Sequence, residues 1–279
     1  MPPTHILPRL QINADLAHTI LVRFLRDAIF KVGFRHAVIN LSGGIDSSLS
    51  AYLTAEAIGP ENVLALRLPY KTSSPDSLND AQAVIDALSI RSETLDITPF
   101  VDPLLERFSE ASQVRKGNIM ARIRMVVLYD QSAAFKGLAI GTSNKTETLL
   151  GYTTIYGDNA AAVQPIADLY KTQVRQLARA LAIPSHVIEK PPSADLWIGQ
   201  TDEDELGFTY ELADQLLYLL VNERYTVDEV VAEGFDRPLV ESIWRQVRMN
   251  HYKRTMPNVA KLSTRSIGHD FLYLRDWSG

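Results

Sequence analysis

The chain of 279 residues contains no cysteine. Disulfides and thiolate zinc sites are therefore excluded, and so is any reaction that needs a thiol nucleophile. Long apolar runs are missing too: none approaches the roughly 18 residues that a membrane helix requires. The six histidines (His5, His18, His36, His186, His251 and His269) are scattered, with no pair at helical metal-ligand spacing. Each reads as a surface or capping residue. Nor is there an excess of positive charge. The formal net charge is −5, so no broad basic field favours nucleic acid. Met1-Pro2-Pro3-Thr4 has no basic region followed by an apolar stretch, so nothing suggests export and a cytoplasmic protein is expected.

What is present is ordinary for a globular chain: 46% apolar and 22% charged residues. This length can bury a full core, and with no composition shift to force a boundary, residues 1–279 are expected to form a single domain. Asp15 to Val32 has helical periodicity, with Ile20, Leu21, Phe24, Leu25 and Ala28 as its apolar stripe. Strands are predicted at Ala37–Leu41, Val63–Leu68, Glu93–Ile97 and Leu138–Thr142. Helices are predicted up to Ile58, over Asp76–Leu88, Pro99–Phe108 and Ile119–Phe135, and from Asn144. From Thr172 onward the pattern is helical: 172–181, 203–221, 227–232 and 238–249. Stretches 157–165, 185–200 and 257–268 read as loops. Repeated βα units predict an α/β fold: a doubly wound, mainly parallel sheet flanked by helices, with a helical C-terminal part.

The most informative segment is Ser42-Gly43-Gly44-Ile45-Asp46-Ser47-Ser48, between the first strand and a helix. Two glycines let the backbone turn sharply and approach an anion. The hydroxyls and the free N–H groups of the helix start add donors. Asp46 would repel a polyphosphate unless a cation lay between them, so its sensible role is a Mg²⁺ ligand. The Gly-Lys-Ser/Thr ending of a Walker A loop, which serves transfer of the terminal phosphoryl group, is absent.

Further along, Lys116 to Met125 places basic groups near an expected helix start. They are either an anion site or solvated charges on an amphipathic helix, and spacing alone favours the latter. Gly141-Thr142-Ser143-Asn144-Lys145-Thr146-Glu147 is a second strand-to-helix turn. Glu147 either stabilises the helix dipole or, if it faces the first loop, supplies a second Mg²⁺ oxygen. Lys171 stands at a helix start, where the dipole disfavours a cation, so a nearby anion is inferred.

Residues 42–48 resemble the PP-loop of the N-type ATP pyrophosphatases, which split ATP at the α phosphate. That superfamily has an adenine nucleotide alpha-hydrolase-like fold and includes GMP synthetase, asparagine synthetase, argininosuccinate synthetase, tRNA thiolation enzymes and NAD synthetase. The downstream segments narrow the choice. They are Lys116-Gly117-Asn118 with Ala121-Arg122-Ile123-Arg124-Met125, Gly141–Glu147, Gly151-Tyr152 with Tyr156-Gly157-Asp158, Leu169-Tyr170-Lys171-Thr172, Pro191–Leu196 and Tyr252-Lys253-Arg254. Taken in order they resemble the NAD synthetase family, from about residue 20 to the C-terminus.

The resemblance implies that Leu41, Ser42, Gly43, Gly44, Ile45, Asp46, Ser47 and Ser48 hold ATP, together with Thr142, Lys171 and Ser193. It implies Asp46 and Lys171 in catalysis, Asp46 and Glu147 on Mg²⁺, and Arg122, Tyr252 and Lys253 on the dinucleotide. It further implies a homodimer that amidates deamido-NAD to NAD through an adenylated nicotinate, releasing AMP and pyrophosphate. With no cysteine for a glutaminase, the nitrogen comes from free ammonia or a separate glutaminase subunit; neither nucleic acid nor membrane is a partner. Where many stand-alone relatives carry lysine, aspartate and His-Lys-Arg, this chain has Ile155, Ala162 and Tyr252-Lys253-Arg254. There it is similar to the synthetase half of larger glutamine-dependent enzymes. The other readings are a GMP synthetase-like or tRNA-modifying PP-loop ligase, and a regulatory protein that binds ATP without splitting it.

Overall fold

The computed structural model describes residues 4–197 and 199–266. Met1 to Pro3, His269 and the end of the 257–268 stretch lie outside the described residues. Helix α1 (Ala14–Phe30) leads into strand β1 (His36–Asn40), then α2 (Ile45–Ile58), β2 (Val63–Arg67), α3 (Pro75–Leu88) and β3 (Arg91–Thr94). Next come α4 (Thr98–Arg107), α5 (Gln113–Ala134), β4 (Gly137–Ile140) and α6 (Lys145–Leu150). The C-terminal part comprises α7 (Lys171–Ala180), α8 (Ser185–Glu189), α9 (Asp202–Leu206), α10 (Tyr210–Leu217), α11 (Val227–Ala232) and α12 (Arg237–Met249).

The four strands form a parallel sheet in the order β3-β2-β1-β4. Period-two alternation decides what each face meets. Val38, Leu64, Leu66 and Ala139 pack with Ile97, Val101, Met120 and Leu128 on the α4–α5 side. Ala37, Ile39, Ala65 and Ile140 pack with residues of α1, α2, α3 and α7. Strand order reverses direction between β1 and β4, and crevices at such a switch point receive ligands at the carboxyl ends of strands. The 42–48 turn and Gly141–Asn144 both lie there. A separate apolar cluster, including Phe208, Leu216, Leu217, Val240 and Ile243, supports the C-terminal helices beside this crevice.

Five expectations are corrected. The 185–200 stretch, expected as a loop, opens with the short helix α8, whose Val187 and Ile188 are buried against the main core. Only part of the α1 stripe is buried: Leu25 and Ala28 are, whereas Ile20 and Phe24 are 55% and 42% exposed. Packing against α2 and α7 selects a face rotated toward Ile29. Strand β3 ends at Thr94, not Ile97; Ile97 is fully buried where α4 begins, so its apolar character serves the helix junction. Helix α5 starts at Gln113, capped by the Ser112 side chain, so the basic segment lies inside a helix and not at its start. The expected 203–221 helix is broken at Gly207, whose φ of +78° suits glycine. The chain resumes as α10 and ends in a wide π turn over Tyr218–Asn222.

Candidate active site

The crevice encloses roughly 1180 Å³, and its floor is the turn between β1 and α2. Gly43 adopts φ +81°, and a Cβ there would stand 2.3 Å from the Ser77 carbonyl oxygen on α3. Only glycine fits this close approach. Gly44 is the N-cap of α2, which leaves the N–H groups of the first helical turn aimed at the crevice. The serine hydroxyls brace the turn. Ser47 and Ser48 donate to the Gly44 carbonyl at 3.0 and 2.8 Å, and the Ser42 and Ser47 hydroxyls lie 3.1 Å apart.

Over this turn sits a compact ionic cluster. Lys171 Nζ donates to Asp46 Oδ2 at 2.5 Å and to Glu147 Oε1 at 3.0 Å. The lysine side chain is 2% exposed. Its ammonium lies 5.0 Å from the centroid of the Tyr210 ring, within cation–π range. Tyr210 in turn donates to Asp202 Oδ2 at 3.0 Å and to Glu147 Oε1 at 3.4 Å. Tyr152 donates to Asp202 at 3.2 Å and also to Glu205. Burial disfavours the Lys171 ammonium, but the Asp46 and Glu147 charges outweigh it and hold the group above the usual lysine range. Burial pushes the Glu147 carboxyl up to about 7, with Lys171 pulling down and Asp46 and Asp202 pushing up. The anion inferred near Lys171 is thus supplied by the protein itself.

Two polar residues that sequence reasoning missed assemble this cluster. Asn144 accepts the Glu147 N–H with Oδ1 and donates through Nδ2 to Asp46 Oδ1 at 3.0 Å, tying α6 to α2. Asp214, fully buried on α10, accepts from the Thr146 hydroxyl at 2.5 Å and from the Thr172 N–H at 2.7 Å. Thr146 also accepts the Lys171 N–H. Asn144 carried a signal, since it opens a helix three residues before an acidic one. Asp214 carried none.

Of the residues expected to hold nucleotide, Leu41, Ser42, Gly44, Ile45, Asp46, Ser47, Thr142, Lys171 and Ser193 line the crevice, and so does Glu147. Gly43 and Ser48 lie behind the lining and shape the turn. Lys253 reaches the crevice wall, where Nζ donates to the Gly151 and Thr153 carbonyls. Tyr252 is exposed, and Arg122 is exposed with its guanidinium on the Ile155 carbonyl. Neither lines the crevice, nor do Ile155 and Ala162. Arg124, two residues beyond Arg122 on α5, does line it and donates to the Leu68 carbonyl. Asn40, at the end of β1, also faces this space, and its side-chain oxygen is buried without a donor.

Asp46 and Glu147 fit a hard cation. Their oxygens already bracket one positive charge, and with Asp202 nearby the cluster keeps surplus negative charge around Lys171. Among the described residues no group of three or more carboxylates or histidines forms a metal cage.

Comparison with known proteins identifies the family. The profile described as NAD synthase matches residues 18–257. The NH(3)-dependent NAD(+) synthetase of Trichlorobacter lovleyi is 54% identical over 271 residues, covering 97% of this chain and 99% of its own. Two solved structures, each 32% identical, superpose on 90% of this chain and on their whole length. They are an NMN synthetase from Francisella tularensis, with a TM-score of 0.80, and the NH3-dependent NAD synthetase from Campylobacter jejuni, with a TM-score of 0.77. Among the described residues no helix is long and apolar enough to cross a membrane. With a PP-loop at the switch point, an acidic pair above it and a match over most of its length, the chain belongs to the NAD synthase family.

Proposed function

We propose that the chain converts deamido-NAD to NAD with ATP and ammonia, releasing AMP and pyrophosphate. The observation that carries this reading is the convergence of Asp46, Glu147 and Lys171 over a phosphate-binding turn without a Walker lysine. The T. lovleyi relative, whose name states dependence on NH(3), supports ammonia as nitrogen donor.

The chemistry follows from charge. A carboxylate is a poor acyl donor because oxide is a poor leaving group. Attack of a nicotinate oxygen on the α phosphorus makes that oxygen part of an AMP leaving group and expels pyrophosphate. The N–H groups of the α2 start, the loop hydroxyls and Lys171 stabilise the charge that develops on the leaving oxygens. Asp46 and Glu147 are the residues that would hold Mg²⁺, which when bound would supply further charge neutralisation. Ammonia then adds to the acyl carbon, and AMP departs as the amide forms. Leu41, Thr142 and Ser193 hold the nucleotide, and Arg122, Tyr252 and Lys253 the dinucleotide.

The chain acts as a homodimer in the cytoplasm. The exposed apolar side chains of the packed pair α4 and α5 (Phe100, Leu104, Phe108, Val126 and Tyr129) offer a surface for a second copy. Arg122 and Tyr252, off the crevice in one chain, would then reach a dinucleotide that crosses the interface.

The test is a panel of acceptors. Purified protein is given ATP, ammonium and, in parallel, deamido-NAD, nicotinate mononucleotide, XMP or tRNA. Nicotinate mononucleotide is included because one structural neighbour is named an NMN synthetase. Equal yields of NAD, AMP and pyrophosphate from deamido-NAD are expected, with no product when glutamine replaces ammonium. ADP as the nucleotide product would refute the reading.

A further inference from the structure

Lys171 begins α7, where the free N–H groups of a helix disfavour a cation. Its ammonium is nevertheless almost wholly buried, bonded to Asp46 Oδ2 at 2.5 Å and to Glu147 Oε1 at 3.0 Å. Those two carboxylates are also the pair suited to a divalent ion. An ammonium in contact with both oxygens fills the space between them, so the pair takes one cation at a time. The remaining neighbours hold the lysine in place: the Tyr210 ring on one side and the Asn144 carboxamide against the other Asp46 oxygen. Asp202, bonded to Tyr210, adds negative charge from behind.

Removing one member of such a buried pair leaves the other charge uncompensated, at considerable cost. A free metal ion entering here would have to displace Lys171 from both bonded carboxylates, leaving it only the charge of Asp202 among the described residues. A polyphosphate over residues 42–48 changes that balance. Lys171 itself lines the crevice, and its flexible four-carbon stem lets the ammonium turn toward phosphate oxygens.

We propose that Lys171 is a resident counter-cation that keeps the Asp46–Glu147 pair closed to free divalent metal and yields it only when a bound triphosphate receives the ammonium. Metal and nucleotide therefore bind as linked ligands, each raising the affinity for the other, as thermodynamic reciprocity requires. The proposal rests on the reading of this crevice as a metal–nucleotide site. It adds that the protein carries its own substitute charge at this pair.

The experiment measures Mn²⁺ binding to the full-length protein by electron paramagnetic resonance, without any dinucleotide or turnover. Wild type alone should bind Mn²⁺ weakly, and an ATP analogue with a methylene bridge between its α and β phosphorus atoms should raise the affinity by about tenfold or more. Lys171→Met, freed of its ammonium, should bind Mn²⁺ without nucleotide about tenfold more tightly than wild type. Added Mg²⁺ should raise the melting temperature of that variant and leave nucleotide-free wild type unchanged. Asp46→Asn should abolish the Lys171→Met gain.

Equal nucleotide-free Mn²⁺ affinity in wild type and Lys171→Met would overturn the proposal. If Lys171→Met does not fold, the wild-type measurement decides: Asp46-dependent Mn²⁺ binding that the analogue leaves unchanged overturns it equally. Failure of the enzymatic reading shows itself separately, as no amide product in the acceptor panel.

Discussion

Asp214 of α10 accepts the backbone N–H of Thr172, in the first turn of α7, at 2.7 Å. Its other oxygen takes the Thr146 hydroxyl at 2.5 Å, and Thr146 accepts from the Lys171 N–H. A carboxylate from the C-terminal helices therefore fixes both helix starts that carry the ionic cluster. It reinforces the direct bonds between the two starts, from the Lys171 N–H to Thr146 Oγ1 and from the Lys145 N–H to the Leu169 carbonyl.

Burial pushes the Asp214 carboxyl up to about 6, against the hydrogen bonds from Thr146 and Thr172 that favour its charged form. A raised carboxyl pKa means that the folded state binds more protons than the unfolded one between about pH 4 and pH 6. Stability from this group therefore falls as pH rises through that window, by about 3 kcal/mol in all. In Asp214→Asn the residue no longer titrates, so the stability advantage of wild type over the variant should shrink by that amount between pH 4 and pH 7. Urea unfolding of both proteins checks this; a gap that stays constant with pH would contradict the assignment.

Gly43→Ala should disable the phosphate-binding turn. The new methyl group meets the Ser77 carbonyl oxygen at 2.3 Å on a backbone with φ +81°. Strain and overpacking together should cost about 2 kcal/mol or more. Calorimetry should find nucleotide affinity lost even where circular dichroism shows the fold retained.

Asn144→Asp places a second carboxylate against Asp46, where the carboxamide now donates at 3.0 Å. Repulsion should displace Asp46 while leaving the N-cap of α6 intact, since aspartate caps as well as asparagine. Turnover should fall about a hundredfold, the loss typical of removing a group that organises transition-state charge. A melting temperature within a few degrees of wild type would separate this from unfolding.

Arg122 and Arg124 should divide by substrate. Arg124 lines the crevice, whereas Arg122 rests exposed on the Ile155 carbonyl. Arg124→Ala should raise the KM for ATP about tenfold, the usual worth of a hydrogen bond to a charged group. Arg122→Ala should raise the KM for deamido-NAD and leave that for ATP unchanged. Steady-state kinetics with each substrate varied in turn would show it, and an unchanged dinucleotide KM would remove Arg122 as a contact.

Asp46→Ala should abolish turnover, because it removes a carboxylate of the proposed metal pair and leaves Lys171 paired only with Glu147. Pyrophosphate release is the measurement. Wild-type activity would eliminate Asp46 as a metal ligand.

Local chemistry was readable along the chain. The glycines and serines of 42–48 announced a phosphate turn because backbone freedom and hydroxyl donors are properties of the residues themselves. Continuous apolar runs announced buried parallel strands for the same reason, and the absence of cysteine ruled out a thiol nucleophile in these residues before any fold was known. Facing and partnership could not be read this way. Periodicity placed Ile20 and Phe24 on the stripe of α1, but only packing against α2 and α7 decided which side of that stripe is buried. Lys171 called for an anion, yet that the anions are Asp46, 125 residues earlier, and Glu147 follows from the meeting of three separate helix starts. Asp214 had no sequence signature at all. Its role exists because long-range hydrogen bonds depend on where the backbone goes, and that is settled by the summed burial of the core and not by any residue's neighbours in the chain.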